Sequence, residues 1–331
     1  MVILGVLPIR AILSKKKNEM RTTASKSIAA KGDAPELSES TRGCLYALLE
    51  LTKPRLSMMA IFSAMLGFLA FQPSPTDYAT FLFLLLGTAL AAGGAAALNQ
   101  WMEREEDRRM ERTEDRPLPA GIIEPGVALV FGMILSIGAL VCLWIKVNAW
   151  AAGLTTITLV TYLVLYTPLK KRTPLATEVG AVSGALPPLM GWAAAANEPS
   201  AFGWLLFGIL FAWQMPHFMA ISWTYRDEYS KAGFKMLSHE ENGDTKVARK
   251  SMIYSILLGA LAISPVYYDY GVGVSGTPFL CVAVILSLAL FFSALRFVQA
   301  KDKTLAARSL FFVTIVHLPL LLTALVIDRY L

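Results

Sequence analysis

The chain has 331 residues, 55% of them hydrophobic and only 16% charged, with a formal net charge of +6. That balance is too apolar for a soluble globular protein, and the long uninterrupted apolar runs make it an integral membrane protein. The positive charge does not point to nucleic acid, because membrane proteins gather Lys and Arg on their inner side, and the three cysteines (Cys44, Cys142, Cys281) show neither a disulfide framework nor zinc spacing.

Residues 1–50 differ in kind from the rest. Val2 to Pro8 is apolar but too short to span a bilayer, Lys15, Lys16 and Lys17 follow, and a Ser/Thr/Ala/Lys/Glu stretch runs on to about Ser40. This reads as a flexible cytosolic tail suited to touching anionic lipid. The lack of acidic residues before Glu19 also fits a mitochondrial presequence, although Lys outnumbers Arg. Residues 51–331 form the membrane domain.

Nine apolar segments come next, at 54–72, 78–99, 125–145, 148–166, 175–195, 202–222, 252–270, 277–295 and 306–327. Each is close to the ~20 residues a bilayer core demands of a helix. With this division every Lys and Arg except Lys146 and Arg329 falls on one side. The positive-inside rule then places the N-terminus inside and the C-terminus outside. The expected fold class is all-α, a polytopic protein of nine transmembrane helices around a central cavity. Pro187-Pro188, Pro216, Pro265 and Pro319 fall within these spans, where a neighbour or cavity must satisfy the freed carbonyls. Small residues crowd 91–97 and 180–185 and allow close helix approach.

The densest charge cluster comes after the uncharged run Tyr78 to Leu98, where the second span leaves the membrane. Asn99, Glu103 and Asp107 are spaced i, i+4, i+8. Each step of four advances about 40° around a helix and about 6 Å along it, so the three oxygen-bearing side chains line one face. Two carboxylates and an amide suit Mg²⁺, which fills its shell with water and phosphate oxygens. Arg112 and Arg116 repeat the step and supply charged forks for phosphate. The competing reading is a solvated loop held by i,i+4 ion pairs.

Two further loops and one histidine bear on that choice. Lys170-Lys171-Arg172 comes after the fourth span and by itself is ordinary positive-inside decoration. The loop after the sixth span, with Arg226-Asp227-Glu228-Tyr229, again sets carboxylates beside basic residues. Two such clusters facing one compartment suit Mg²⁺ and the diphosphate of a lipid-like substrate whose tail lies in the membrane. His217, within the sixth span, is either functional or an interior histidine bonded to a carbonyl freed by Pro216. His317, beside Pro319, is the weaker candidate, and His239 is a loop residue.

Four motifs stand in order along the chain. The first is Asn99-xxx-Glu103-Arg-xx-Asp107-xx-Met110-x-Arg112-Thr113-xx-Arg116-Pro117-Leu-Pro-x-Gly121, and the second Tyr166-Thr-Pro-Leu-Lys170-Lys171-Arg172-Thr. The others are Gly184-Ala-x-Pro187-Pro188-xx-Gly191-Trp192 and Trp213-Gln-Met-Pro216-His217-Phe. On them the chain resembles, over about residues 50–325, the heme O synthase (protoheme IX farnesyltransferase) family of the intramembrane aromatic prenyltransferase superfamily. It departs in having Glu103 where the family usually has Asp. Its later loop has Glu228-Tyr229 for Asp-Tyr, and Lys235 and Ser238 for two prolines, with Asp227 a substitute ligand.

The resemblance implies transfer of farnesyl from farnesyl diphosphate to the 2-vinyl group of heme B, giving heme O and diphosphate. It implies two Mg²⁺ ions, with Asn99, Glu103, Asp107, Asp227 and Glu228 as metal ligands. Arg112, Arg116, Lys170 and Lys171 join the first three as catalytic residues, and His217, Trp213, Arg226, Asp227, Glu228 and Tyr229 bind substrate. Heme B is a substrate and not a prosthetic group. Membrane lipid surrounds the protein, and a heme A synthase or a terminal-oxidase assembly factor is a candidate partner. The implied location is the bacterial inner membrane with the site loops cytoplasmic, or alternatively the mitochondrial inner membrane with the loops in the matrix. Prenylation of a quinone precursor or a chlorophyllide is the rival enzyme reading. A secondary transporter is disfavoured by the absence of an internal repeat and by a nearly uncharged midplane.

Overall fold

Apolar runs of this length have to satisfy their backbone internally, and in lipid a helix does so within one segment. The computed structural model describes residues 39–71 and 77–330, all helix, turn and connecting loop. The Lys15–Lys17 region, the presequence reading and Gln72 at the end of the first expected span lie outside the described residues. A helix α1 covers Glu39–Leu51, so the last part of the stretch read as a flexible tail is helical. The chain divides between Leu45 and Tyr46, and every membrane span and charged loop belongs to the unit from Tyr46 onward.

Among the described residues, nine helices are long and apolar enough to cross a membrane. They are α2 (Pro54–Phe71), α3 (Tyr78–Met102), α5 (Pro125–Lys146), α6 (Ala149–Leu169), α7 (Ala176–Ala196), α8 (Ala201–Thr224), α10 (Gly243–Val266), α11 (Thr277–Gln299) and α12 (Lys303–Asp328). Two short helices, α4 (Arg104–Asp107) and α9 (Arg226–Lys231), lie in the loops after α3 and α8. Eight spans fall within a few residues of their expected positions. The seventh does not: it begins at Gly243, nine residues before the expected 252. Asp244, Lys246, Arg249 and Lys250 read as loop because they are charged, yet they form the first turns of this helix. Pro265 lies in the 3₁₀ turn Ser264–Val266 that ends this span.

The packing is α2 on α3 and α7, α3 on α5, α5 on α6, α6 on α7 and α7 on α8. It continues with α8 on α10 and α12, α10 on α11 and α11 on α12, and α12 returns to α2. The helices α7 and α8 are the most enclosed, with 67% and 72% of their apolar windows buried. By contrast α5 and α11 present Ile134, Trp144, Ile285 and Phe292 outward, as lipid-facing helices do. Between apolar helices in lipid the driving force is packing, which small residues favour. A Cβ at Gly67 would run into the Pro188 carbonyl and one at Gly191 into the Ala64 carbonyl, so α2 and α7 touch backbone to backbone. A cavity of about 340 Å³ lined by Leu140, Val141, Trp144 and Ala152 lies between α5 and α6, and no charged residue lines it.

Candidate active site

The line of Asn99, Glu103 and Asp107 does not sit on one continuous helix. Helix α3 ends at Met102, Glu103 stands at the junction, and α4 begins at Arg104. The i,i+4 backbone bonds nevertheless run through the break. Glu103 N–H donates to the Asn99 carbonyl at 3.0 Å, and Asp107 N–H to the Glu103 carbonyl at 2.8 Å. The spacing therefore survives, and all three side chains are buried. Asn99 is oriented by Thr167, whose Oγ1 accepts from Asn99 Nδ2 at 3.2 Å and donates to the Tyr162 carbonyl at 2.8 Å. Thr167 comes directly after a π-helical stretch, Val160–Tyr166. The wider i→i+5 turn brings the Tyr162 carbonyl to Thr167, where it accepts from both the backbone N–H and the hydroxyl.

Each of the three side chains is held by a different base. Lys53 Nζ donates to Asn99 Oδ1 at 3.4 Å, Lys170 Nζ lies 2.5 Å from Glu103 Oε1, and Arg116 Nη1 lies 2.6 Å from Asp107 Oδ2. The Lys170–Glu103 contact is an ion pair without hydrogen-bond alignment, since Glu103 Oε1 has no hydrogen-bond partner. Burial alone would lower the Lys170 pKa, but Glu103 and the Tyr166 and Tyr162 phenols outweigh it and raise it. At Lys53, burial and then the neighbouring Arg116 win over the pull of Asp107 and Glu103, and the pKa falls to about 7. Lys171 belongs to a separate pair, 2.5 Å from Glu106, and is half exposed. Lys53 is a site residue that sequence reasoning misses. A lysine before a proline at the mouth of a span carries the ordinary positive-inside signal, and its backbone geometry is not legible from composition.

The second loop docks onto the first. Lys235 N–H donates to the Lys170 carbonyl at 2.8 Å, and Phe234 and Tyr166 lie within 5.2 Å and 4.8 Å of the Lys170 ammonium. Met110 from the first loop is buried against Ala232 and Phe234, with Tyr229 and Met236 packed beside them. Arg112 stacks over Tyr225 and Tyr229 at 5.5 and 6.0 Å, joining the two clusters through aromatic faces. Within the second cluster the two acids differ. Asp227 is turned to solvent, 85% exposed and only 3.9 Å from Arg226 at its nearest. Glu228 keeps a buried Oε2 with no hydrogen-bond partner. Arg226 caps the end of α8, donating to the Trp223 carbonyl at 2.9 Å and lying over the Trp223 ring.

His217 lies seven residues from the charged end of α8, roughly 10 Å into the span at 1.5 Å per residue. Its Nδ1 is 2.9 Å from Thr314 Oγ1, and its ring stacks between Trp213 and Phe311 at 4.8 and 4.9 Å. Trp213 Nε1 donates to the Thr314 carbonyl at 2.8 Å. A polar partner for His217 therefore comes from α12. The site thus has two levels, a charged mouth and an aromatic cluster within the span.

Among the described residues no three His, Cys, Asp or Glu side chains gather at one point. The donor set at the mouth is two buried carboxylates and an amide oxygen, and it fits Mg²⁺, which needs only one or two protein carboxylates beside phosphate and water. The unpartnered Glu228 oxygen adds a donor on the facing loop. Asp227, as oriented, does not.

Residues 60–316 match the UbiA prenyltransferase family. The chain is 45% identical to the protoheme IX farnesyltransferase of Opitutus terrae, covering 85% of this chain and 94% of that protein. Among solved structures, one of a digeranylgeranylglyceryl phosphate synthase superposes with a TM-score of 0.72 at 18% identity, covering 86% of this chain and 98% of that one. A UbiA homolog from Archaeoglobus fulgidus bound to GPP and Mg²⁺ superposes with a TM-score of 0.61 at 14% identity, covering 86% and 100%. At these identities the two structures share the fold.

Proposed function

The chain belongs to the UbiA prenyltransferase family, and on that premise we propose how its charged mouth and aromatic cluster divide the work of a heme farnesyltransferase. The reaction is transfer of farnesyl from farnesyl diphosphate to the 2-vinyl group of heme B, in which the vinyl π pair forms the new C–C bond and water adds to the vinyl carbon left cationic with loss of a proton, giving heme O and diphosphate. The observation that carries the donor site is the line Asn99, Glu103, Asp107 at the bundle mouth, each member held by its own base.

Magnesium, when bound, supplies a Lewis acid for the charge growing on the departing diphosphate. Asn99, Glu103 and Asp107 hold one ion, and Glu228 is the residue suited to a second. The GPP and Mg²⁺ bound to the Archaeoglobus fulgidus homolog support a dependence on Mg²⁺. Arg116 and Lys170, paired with Asp107 and Glu103, are the cations that would turn to phosphate oxygens were those carboxylates to ligate a metal. Arg112 approaches from the side of Tyr225 and Tyr229. Preorganised cations at a site shielded from water stabilise the leaving group far better than in solution. As the C–O bond breaks, its electron pair leaves on the diphosphate and the allylic carbon becomes cation-like. The Lys170 neighbours Tyr166 and Phe234 offer aromatic faces to it.

His217 with Trp213 faces the acceptor, as an iron ligand or through a propionate. The protein is a multi-pass membrane protein. The lysine and arginine distribution supports charged loops on the inner side of a bacterial inner membrane, with residues 51–331 as the catalytic domain. An acceptor competition tests the assignment: purified protein, Mg²⁺ and farnesyl diphosphate receive heme B and 4-hydroxybenzoate together. Farnesylated heme alone is expected; a farnesylated phenol would move the chain to the quinone-precursor reading.

A further inference from the structure

Between α1 and α2 the chain makes an elbow, Leu51-Thr52-Lys53-Pro54, in which Lys53 has φ = +47°. That region is uncommon for a residue with a side chain and persists only where the surroundings hold it. Here they do. Pro54 disfavours a helical Lys53, Gln100 Nε2 donates to the Leu51 carbonyl at 2.8 Å, and Ser57 Oγ donates to the Thr52 carbonyl at 2.7 Å. Gln100 is next to Asn99, so α3 fixes the elbow and one metal-type ligand with adjacent residues. The result is a lysine turned back from the head of α2 into the charged mouth.

Its partner there differs from those of the other two bases. Lys170 and Arg116 each contact a carboxylate, whereas Lys53 contacts the neutral amide oxygen of Asn99, at the long end of hydrogen-bond range. A half-buried ammonium on so weak an acceptor is poised for a stronger one. A Mg²⁺ ion bound by Asn99 would claim that same oxygen, and a diphosphate beside the ion would offer anionic oxygens in its place. We propose that Lys53 is a further donor-binding residue, whose ammonium passes from Asn99 Oδ1 to a diphosphate oxygen when metal and prenyl diphosphate bind. The inference rests on the donor site described above. It adds a contact from the elbow before the first span to those from the loops.

Calorimetry on the full chain in detergent, with inorganic diphosphate titrated in the presence of Mg²⁺, tests it. Lys53→Met should weaken diphosphate binding about ten- to hundred-fold, the range for one charge-assisted hydrogen bond, and Lys53→Arg should stay within a few-fold of wild type. Heme B affinity should not change in either. A folded Lys53→Met that binds diphosphate as wild type does overturns this inference alone; a wild type that fails to bind it with Mg²⁺ overturns the donor site as well. The unsubstituted protein gives an independent test. Mg²⁺ plus diphosphate should shield Lys53 from an amine-acylating reagent, read by peptide mass, and undiminished labelling overturns the inference.

Discussion

Arg116 reaches back nine residues to Asp107, its Nη1 lying 2.6 Å from Oδ2 of a buried carboxylate. A surface ion pair in a mobile loop would contribute little. A buried one at the mouth of a membrane bundle holds a carboxylate in place for a metal. Asp107→Asn should therefore lower turnover by at least about 100-fold, the scale of losing a preorganised electrostatic group. The protein should still elute as a single folded species. Turnover within a few-fold of wild type at saturating Mg²⁺ would show the carboxylate to be a surface charge after all.

Glu103 carries one methylene more than the aspartate usual at this place in the family it resembles, and its carboxylate meets Lys170 at 2.5 Å. If it serves the metal, Glu103→Asp keeps substantial activity and Glu103→Ala does not. Equal, near-normal rates for the two would mean this position is not a ligand here.

The same pair makes a stability prediction. Lys170→Met leaves the buried Glu103 without its cation, at a cost of about 3 kcal/mol on the scale of broken buried pairs. Adding Glu103→Gln should restore most of it. Thermal unfolding in detergent reads both variants, and a double variant no more stable than the single one contradicts the pairing.

His217→Ala should weaken heme B binding and leave diphosphate affinity nearly unchanged, because it stands within the span against Thr314, Trp213 and Phe311. A shifted Soret band in the variant would assign iron ligation, and lower affinity with the same spectrum a propionate contact. Unaltered heme binding with weaker diphosphate binding would move His217 to the donor side.

The lowered pKa of Lys53 has a signature in the metal-free protein. Its folded value is about 7 against 10.5 for an ordinary lysine. Between those values the unfolded chain binds more protons than the folded one, so stability rises with pH across that window. With chelator present, the rise from pH 7 to 10 should be smaller in Lys53→Met than in wild type. Parallel curves would contradict the lowered Lys53 pKa.

The spans are legible in the sequence because lipid imposes one simple rule, about twenty apolar residues per crossing. The rule misplaces the seventh helix, whose first turns carry Asp244, Lys246, Arg249 and Lys250 outside the apolar stretch. The line Asn99, Glu103, Asp107 is legible from spacing alone. The break at Glu103 is not, since the i,i+4 backbone bonds continue across it. The match of Glu228-Tyr229 to the family's Asp-Tyr favours Glu228, but which of two adjacent acids turns inward depends on how this loop docks, with Phe234 on Met110 and Lys235 on the Lys170 carbonyl. The elbow at Lys53 depends on its anchor at Gln100, a contact across 49 residues. Long-range contacts of that kind leave no periodic trace.

The most direct measurement offers the purified protein heme B together with geranyl, farnesyl and geranylgeranyl diphosphates and Mg²⁺, and reads the heme products by mass. One product carrying a farnesyl chain, formed by the wild type and lost in chelator, is the expected result. Heme left unmodified by protein that binds both substrates, or a chain other than farnesyl on the product, would contradict it.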